Sequence, residues 1–194
     1  MKLSENDNIY SALIETAGHE LYIATENHIT FNFLRTLLPK TINNRKIKVA
    51  CYQAYAECIR GLYEYYLAIF KWNEKTTTLP KHFNIDAKMN DAAQRLLNFH
   101  GPLRKRIDPS FPNNVPEDFG CSFRSIRNRV SHADYRRMFL SEENNNISLA
   151  SFYKRYNFYI DLLLETPQFS WGGNHYENSY KWESVEDFIR IISD

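Results

Sequence analysis

Apolar residues recur along most of the chain at the spacing of an α-helix. One stripe runs through Ile9–Leu38, and a second, within Ile42–Trp72, steps by threes and fours (Ile47, Cys51, Ala54, Cys58, Leu62, Tyr65 and Ile69). Pro39 is predicted to end the first helix, which leaves only a few residues before the second. Two helices of about thirty residues with so short a connection are predicted to fold back as a long antiparallel hairpin.

Three further helical patterns follow, separated by polar or proline-rich segments. They predict helices at Asp86–His100, from near Pro116 to about Val130, and at Ser148–Leu164, and a short helix closes the chain. Residues 73–85 are predicted to form a loop, and the segment GPLRKRIDPSFPNN is predicted to break the third helix. The pattern therefore indicates an all-α bundle, with residues 1–194 as a single domain.

Composition agrees with a globular helical protein and limits how it can bind nucleic acid. Hydrophobic residues make up 43% of the chain and charged residues 24%, while Gly and Pro together number only 13, too few for a disordered or turn-rich all-β chain. The formal net charge is +1. Since a generic polycation is thereby excluded, any binding of nucleic acid must be local.

The charge is unevenly distributed. Residues 121–137 carry five arginines against one aspartate, a formal charge of +4, whereas residues 161–194 carry seven acidic residues against two basic ones, a formal charge of −5. The basic segment, which contains His132, is therefore the place where a phosphate group would be attracted.

Several classes of site and of protein are not indicated. The three cysteines show no close pairs, which argues against a disulfide framework. The sequence has no HExxH or CxxC spacing for a metal and no glycine-rich phosphate loop, so neither metal nor cofactor is expected. No apolar leader or run of about 18 apolar residues is present. We therefore expect a cytoplasmic protein without membrane contact.

The fourth predicted helix separates its apolar and polar residues cleanly. At about 100° per residue, Phe119, Phe123, Ile126 and Val130 share a core-facing stripe. Asn128 and His132 lie side by side roughly opposite that stripe, and Arg127 is nearer the core edge. We refer below to the polar face of this helix, which consists of Arg124, Arg127, Asn128, Ser131, His132 and Tyr135.

The chemistry that suits such a face is phosphoryl transfer on RNA. The 2′-hydroxyl must lose a proton to attack phosphorus, and the departing 5′-oxygen must gain one; a histidine that titrates near neutrality can do either. A guanidinium holds the charged phosphorane oxygens without a metal, and Asn128 can orient the histidine or the phosphate. Because two protons must move, a homodimer that brings together two copies of the face would supply the second histidine.

Residues 127–132, Arg-Asn-Arg-Val-Ser-His, resemble the Arg-x4-His motif, with Asn directly after the Arg, of the HEPN (higher eukaryotes and prokaryotes nucleotide-binding) superfamily. The resemblance implies an HEPN-like helical bundle that dimerises with its motifs facing each other. It also implies a metal-independent endoribonuclease of a toxin–antitoxin or anti-phage defence system, with an antitoxin protein as a further partner. Arg127, Asn128 and His132 carry over as the catalytic residues. Asp134 departs from the tyrosine that some members place two residues after the histidine.

Five neighbouring residues are predicted to contact RNA phosphates: Arg124, Arg129, Ser131, Tyr135 and Arg136. Two other interpretations remain open. One is a non-catalytic module of the same fold that binds RNA, nucleotide or protein. The other is an ordinary solvated helix end, where Arg and His side chains interact favourably with the helix dipole.

Overall fold

The computed structural model describes residues 5–40, 44–131, 147–170 and 190–193. Within these ranges, five α-helices of 13 residues or more follow one another: α1 at Glu5–Leu37, α2 at Arg45–Asn73, α3 at Ile85–Ile107, α4 at Phe119–Ser131 and α5 at Leu149–Ser170. A 3₁₀ helix at Leu38–Lys40, which contains Pro39, follows α1. No strand occurs within these described ranges, so the all-α prediction is confirmed for that part of the chain.

The most extensive contact between helices is that of α1 with α2. Contacts pair late positions of α1 with early positions of α2: the rings of Phe31 and Tyr55 lie 4.7 Å apart. Earlier on α1, Glu20 accepts a hydrogen bond of 3.3 Å from Arg60 Nη1. The two helices therefore run antiparallel along their contact.

Asparagine side chains decide where α2 and α3 begin. The Asn44 side chain accepts hydrogen bonds from the backbone N–H groups of Lys46 and Ile47, and Asn84 does the same for Ala87. These caps place the start of α2 at Arg45, three residues after the predicted Ile42, which lies outside the described residues. Hydrophobic periodicity carries no information about caps, which explains the difference.

The third helix does not stop at His100, and the predicted break at residues 101–114 is wrong in its first half. Helix α3 continues through Gly101 and Pro102 to Ile107. A proline restricts the residue before it partly through contact with that residue's Cβ. Gly101 has no Cβ, so this contact is absent, and the remaining cost of Pro102 within α3 is one lost backbone hydrogen bond and the crowding of its ring against the carbonyl four residues earlier.

Helices α4 and α5 also differ at their ends from the predictions. Helix α4 begins at Phe119 rather than near Pro116, because a turn in which the Phe119 N–H donates to the Pro116 carbonyl precedes it. Helix α5 continues beyond the predicted Leu164 to Ser170. Only residues 190–193 of the predicted last helix are described, and they are helical.

One hydrophobic core receives side chains from all five helices, and α4 lies against α2, α3 and α5. Phe119, Phe123 and Ile126 are fully buried. Gly120 lets α4 approach the first turn of α3 closely, since a Cβ at this position would collide with the backbone of Asp86. This contact fixes the position of α4 relative to α3. None of the helices in the described ranges is long and apolar enough to cross a membrane.

Candidate functional site

Helix α4 presents its outward side much as the periodicity predicts. Its stripe of Phe119, Phe123, Ile126 and Val130 is buried, whereas Arg124 and Asn128 are exposed. The sequence candidates His132, Tyr135 and Arg136 lie outside the described residues. The described part of the site is therefore the portion contributed by Arg124, Arg127, Asn128 and Ser131.

Arg127 is held in place by three neighbours. Its Nε donates to Glu64 Oε1 at 2.6 Å, its Nη2 donates to the same oxygen, and its Nη1 donates to Asn128 Oδ1 at 2.8 Å. The guanidinium also lies over the ring of Tyr63, 5.5 Å from the ring centroid. The side chain remains 25% exposed. Arg127 thus has a fixed orientation while about a quarter of its side chain remains open to solvent.

Arg124 forms a second ion pair on the same helix. Its Nε and Nη2 donate to the two carboxylate oxygens of Asp86, each at 2.8 Å. The hydrogen bond to Asp86 is the main reason that the pKa of Arg124 is raised. This fork-to-fork geometry ties α4 to the start of α3. It also neutralises one of the charges expected to attract phosphate.

Arg129 and Ser131 are placed differently from the other candidates. The Arg129 side chain is only 7% exposed, and its Nη1 donates to the backbone carbonyl of Ile147 at 2.6 Å. This buried position therefore does not favour the predicted contact of Arg129 with RNA phosphate. Arg129 is two positions after Arg127, which corresponds to about 200° around the helix, so its side chain points toward the start of α5. The Ser131 hydroxyl is buried and has no hydrogen-bond partner within the described structure.

Three residues of this site were not identified from the sequence: Tyr63, Glu64 and Asp86. Tyr63 and Glu64 lie in the aromatic segment GLYEYY, whose periodicity places them on α2 but not opposite α4. The pairing of Glu64 with Arg127 joins positions 63 residues apart. An arginine on one helix favours pairing with a carboxylate, but the neighbouring sequence does not show which acidic residue supplies it.

The environment of Tyr63 connects the two ion pairs. Burial, followed by the nearby Asp86 carboxylate, raises the pKa of the Tyr63 hydroxyl to about 12, although Arg124 and Arg127 act in the opposite direction. Both pairs therefore lie within electrostatic reach of the same ring. The polar side of α4 is a network of two cations, two carboxylates and one phenol.

The network differs from the predicted basic patch, because carboxylates from α2 and α3 balance two of its arginines. Within the described ranges, no group of three or more His, Cys, Asp and Glu side chains is arranged to hold a metal ion. No protein-family model, curated protein or solved structure matches the chain.

Proposed function

We propose that the protein is a metal-independent endoribonuclease with an HEPN-like fold, built on the hairpin of α1 and α2. The observation that carries the proposal is the side chain of Arg127, whose guanidinium is oriented by Glu64, Tyr63 and Asn128 and which is 25% exposed. It lies on the last turns of α4, five residues before His132. Such an oriented guanidinium is the group that metal-free phosphoryl transfer requires.

In the proposed reaction the 2′-oxygen of RNA loses its proton to a base and attacks the adjacent phosphorus. The bond from phosphorus to the 5′-oxygen then breaks as an acid protonates that oxygen, leaving a 2′,3′-cyclic phosphate and a 5′-hydroxyl. Arg127 stabilises the phosphorane charge, Asn128 positions Arg127 or the phosphate, and His132 is the acid or the base. The second proton-transfer group comes from His132 of a second copy in a homodimer.

Glu64 has two effects in this proposal. It fixes the orientation of Arg127, which lowers the cost of ordering that side chain when a phosphate arrives. It also compensates the charge of Arg127, which weakens the attraction of that guanidinium for phosphate. Glu64 is therefore a positioning residue, and it touches no substrate atom.

A second candidate is a non-catalytic binding module of the same fold. One observation favours it: Arg124 and Arg127 are both paired with carboxylates, and Arg129 is buried against Ile147. Arginines with such partners also serve simply to join helices. In this alternative, the polar face of α4 binds RNA or protein without cleaving it.

Cleavage of end-labelled RNA by purified protein in excess EDTA distinguishes the two. We expect cleavage that leaves a cyclic phosphate, and no cleavage of DNA, which lacks the attacking hydroxyl. Loss of the guanidinium in Arg127→Ala should reduce the rate about 10²–10³-fold, and loss of the acid or base in His132→Ala about 10²–10⁴-fold. The double variant should be little slower than the slower single variant, because the two groups act on one transition state.

Matched variants control for general effects. His82→Ala and Arg95→Ala remove an exposed histidine and an exposed arginine elsewhere on the protein and should keep the wild-type rate. Arg127→Lys separates charge from geometry, since lysine keeps the charge but not the planar fork. Cleavage that survives His132→Ala, or RNA binding without cleavage, would favour the non-catalytic module.

A further inference from the structure

A cavity of about 570 Å³ lies between the C-terminal end of α1, the start of α2, the end of α4 and the start of α5. Arg124, Arg127 and Asn128 are not among its described lining residues. Its volume is in the range of cavities that hold small organic molecules.

Aromatic side chains form much of the cavity wall: Phe31, Tyr52, Tyr55 and Tyr153. The rings of Tyr55 and Tyr153 pack edge to face with their centroids 5.2 Å apart, and Phe31 lies 5.6 Å from Tyr153. Leu38, Ile126 and Leu149 add aliphatic surface. An apolar body placed here would bury its surface against apolar side chains on several sides.

Cations line the same cavity, and no carboxylate is found among its described lining residues. Arg35 and Lys48 contribute exposed side chains. Arg35 donates to the Tyr153 hydroxyl at 2.6 Å and lies 5.7 Å from the centroid of Phe31. Arg129, from α4, is the third cation. Positive charge beside an apolar wall attracts an anion more strongly than the same charge in open water.

Tyr55 contributes its ring to the cavity wall and not its hydroxyl. The residue is only 3% exposed, and its hydroxyl oxygen is shielded from solvent, so that oxygen does not open onto the cavity. The polar groups that a ligand can reach are therefore the cationic side chains at the cavity wall.

From this combination we infer that the cavity binds a small amphiphilic anion: an apolar body with one carboxylate or sulfonate head group. The apolar body fits among the rings, and the head group lies near Arg35 and Lys48. A nucleotide fits less well, because its base edges and ribose hydroxyls would lose water without finding enough partners in so apolar a wall.

Equilibrium binding of 8-anilinonaphthalene-1-sulfonate to the folded full chain, followed by its fluorescence, tests the site. Decanoate should displace the probe at concentrations at least tenfold lower than decanol, which has the same chain but no charge. Lys48→Gln and Arg35→Gln should each weaken probe binding roughly three- to tenfold. Lys46→Gln, an exposed lysine on the same helix that does not line the cavity, should bind as wild type does.

Tyr55→Phe is a further control. Removing an unpaired buried hydroxyl should leave the thermal midpoint of the ligand-free protein unchanged or raise it, and probe binding should stay as in the wild type because this hydroxyl does not open onto the cavity. A melt followed by circular dichroism verifies that each variant is folded. Three results would overturn the inference: no probe binding by the folded protein, equal displacement by decanol and decanoate, or equal probe affinity in wild type, Lys48→Gln and Arg35→Gln.

Discussion

The sequence predicts where Arg127 lies on its helix, but it does not predict the partners of that side chain. Its position near the core edge of α4 follows from helical geometry alone. Its partners do not, because Glu64 and Tyr63 reach it from α2, 63 and 64 positions away in sequence. Arg129 shows the same limit: periodicity does not show that the start of α5 covers it. The local sequence therefore shows which residue types a site contains, whereas their pairing depends on how the helices pack.

The positioning role of Glu64 gives the first prediction. Glu64→Gln keeps the size and the acceptor oxygen but removes the charge that orients Arg127, and we expect it to lower the RNA cleavage rate about tenfold with a smaller change in KM. Asp86→Asn is the matched control, because it makes the same change to the Arg124 pair, and it should alter the rate less than about twofold. A faster Glu64→Gln enzyme would show instead that Glu64 competes with the phosphate.

Tyr63 gives a prediction about alkaline pH. The pKa of its hydroxyl is about 12 in the fold and near the ordinary 10.0 in the unfolded chain. The folded state therefore retains a proton that the unfolded state loses, and the associated stability is complete below pH 10 and is lost as pH rises toward 12. The urea midpoint of the wild type should fall more steeply across pH 10–12 than that of Tyr63→Phe. Tyr22→Phe, an exposed tyrosine on α1, should retain the wild-type slope.

Helices were predicted well in number and approximate position, and less well at their ends. Long apolar stripes identify α1 and α2 because each helix buries a face along most of its length. The ends depend on single interactions, such as the Asn44 cap. The predicted end of α3 is wrong, because Pro102 does not end a helix in which the preceding residue is Gly101. At these helix ends, the interactions of one or two residues decide the boundary, and hydrophobic periodicity does not.

The pair Gly101–Pro102 can be tested by a double-mutant cycle. Pro102→Ala should raise the free energy of unfolding by about 1–3 kcal/mol, since it restores a backbone donor within α3. Gly101→Ala alone should lower it, because the new Cβ meets the proline ring, although nothing beyond its chain neighbours and the nearby backbone of α3 lies within 4 Å of that Cβ. With Pro102 already replaced, Gly101→Ala should be stabilising by about 0.5–1 kcal/mol. Additive effects in urea unfolding would contradict this account.

For the molecule as a whole, paired charges matter more than the net charge. The formal net charge is +1, and two arginines of α4 are balanced by carboxylates from other helices. The long-range field that steers RNA toward a protein is correspondingly small. Recognition must then come from close contacts, and the proposed reaction needs a second acid–base group that one chain does not offer on α4. The need for a second acid–base group favours the proposed assembly of two copies through the polar face of α4.

Cys121 offers a native reporter for that assembly. It lies on α4, two helical turns before Asn128 and on the same side, and it is exposed, whereas Cys51 and Cys58 are buried. If two copies meet through this face, the reaction of Cys121 with a thiol reagent should slow as protein concentration rises into the tens of micromolar, in parallel with a doubling of mass in sedimentation. Asn128→Arg, which places added positive charges opposite each other across a two-fold axis, should restore fast labelling and keep the mass of a monomer at the same protein concentration. Ser151→Arg, a substitution outside α4, should change neither the labelling rate nor the mass.

A monomer whose Cys121 reacts at the same rate at every concentration would exclude the dimer. Cleavage by that monomer would require the second acid–base group to come from its own chain.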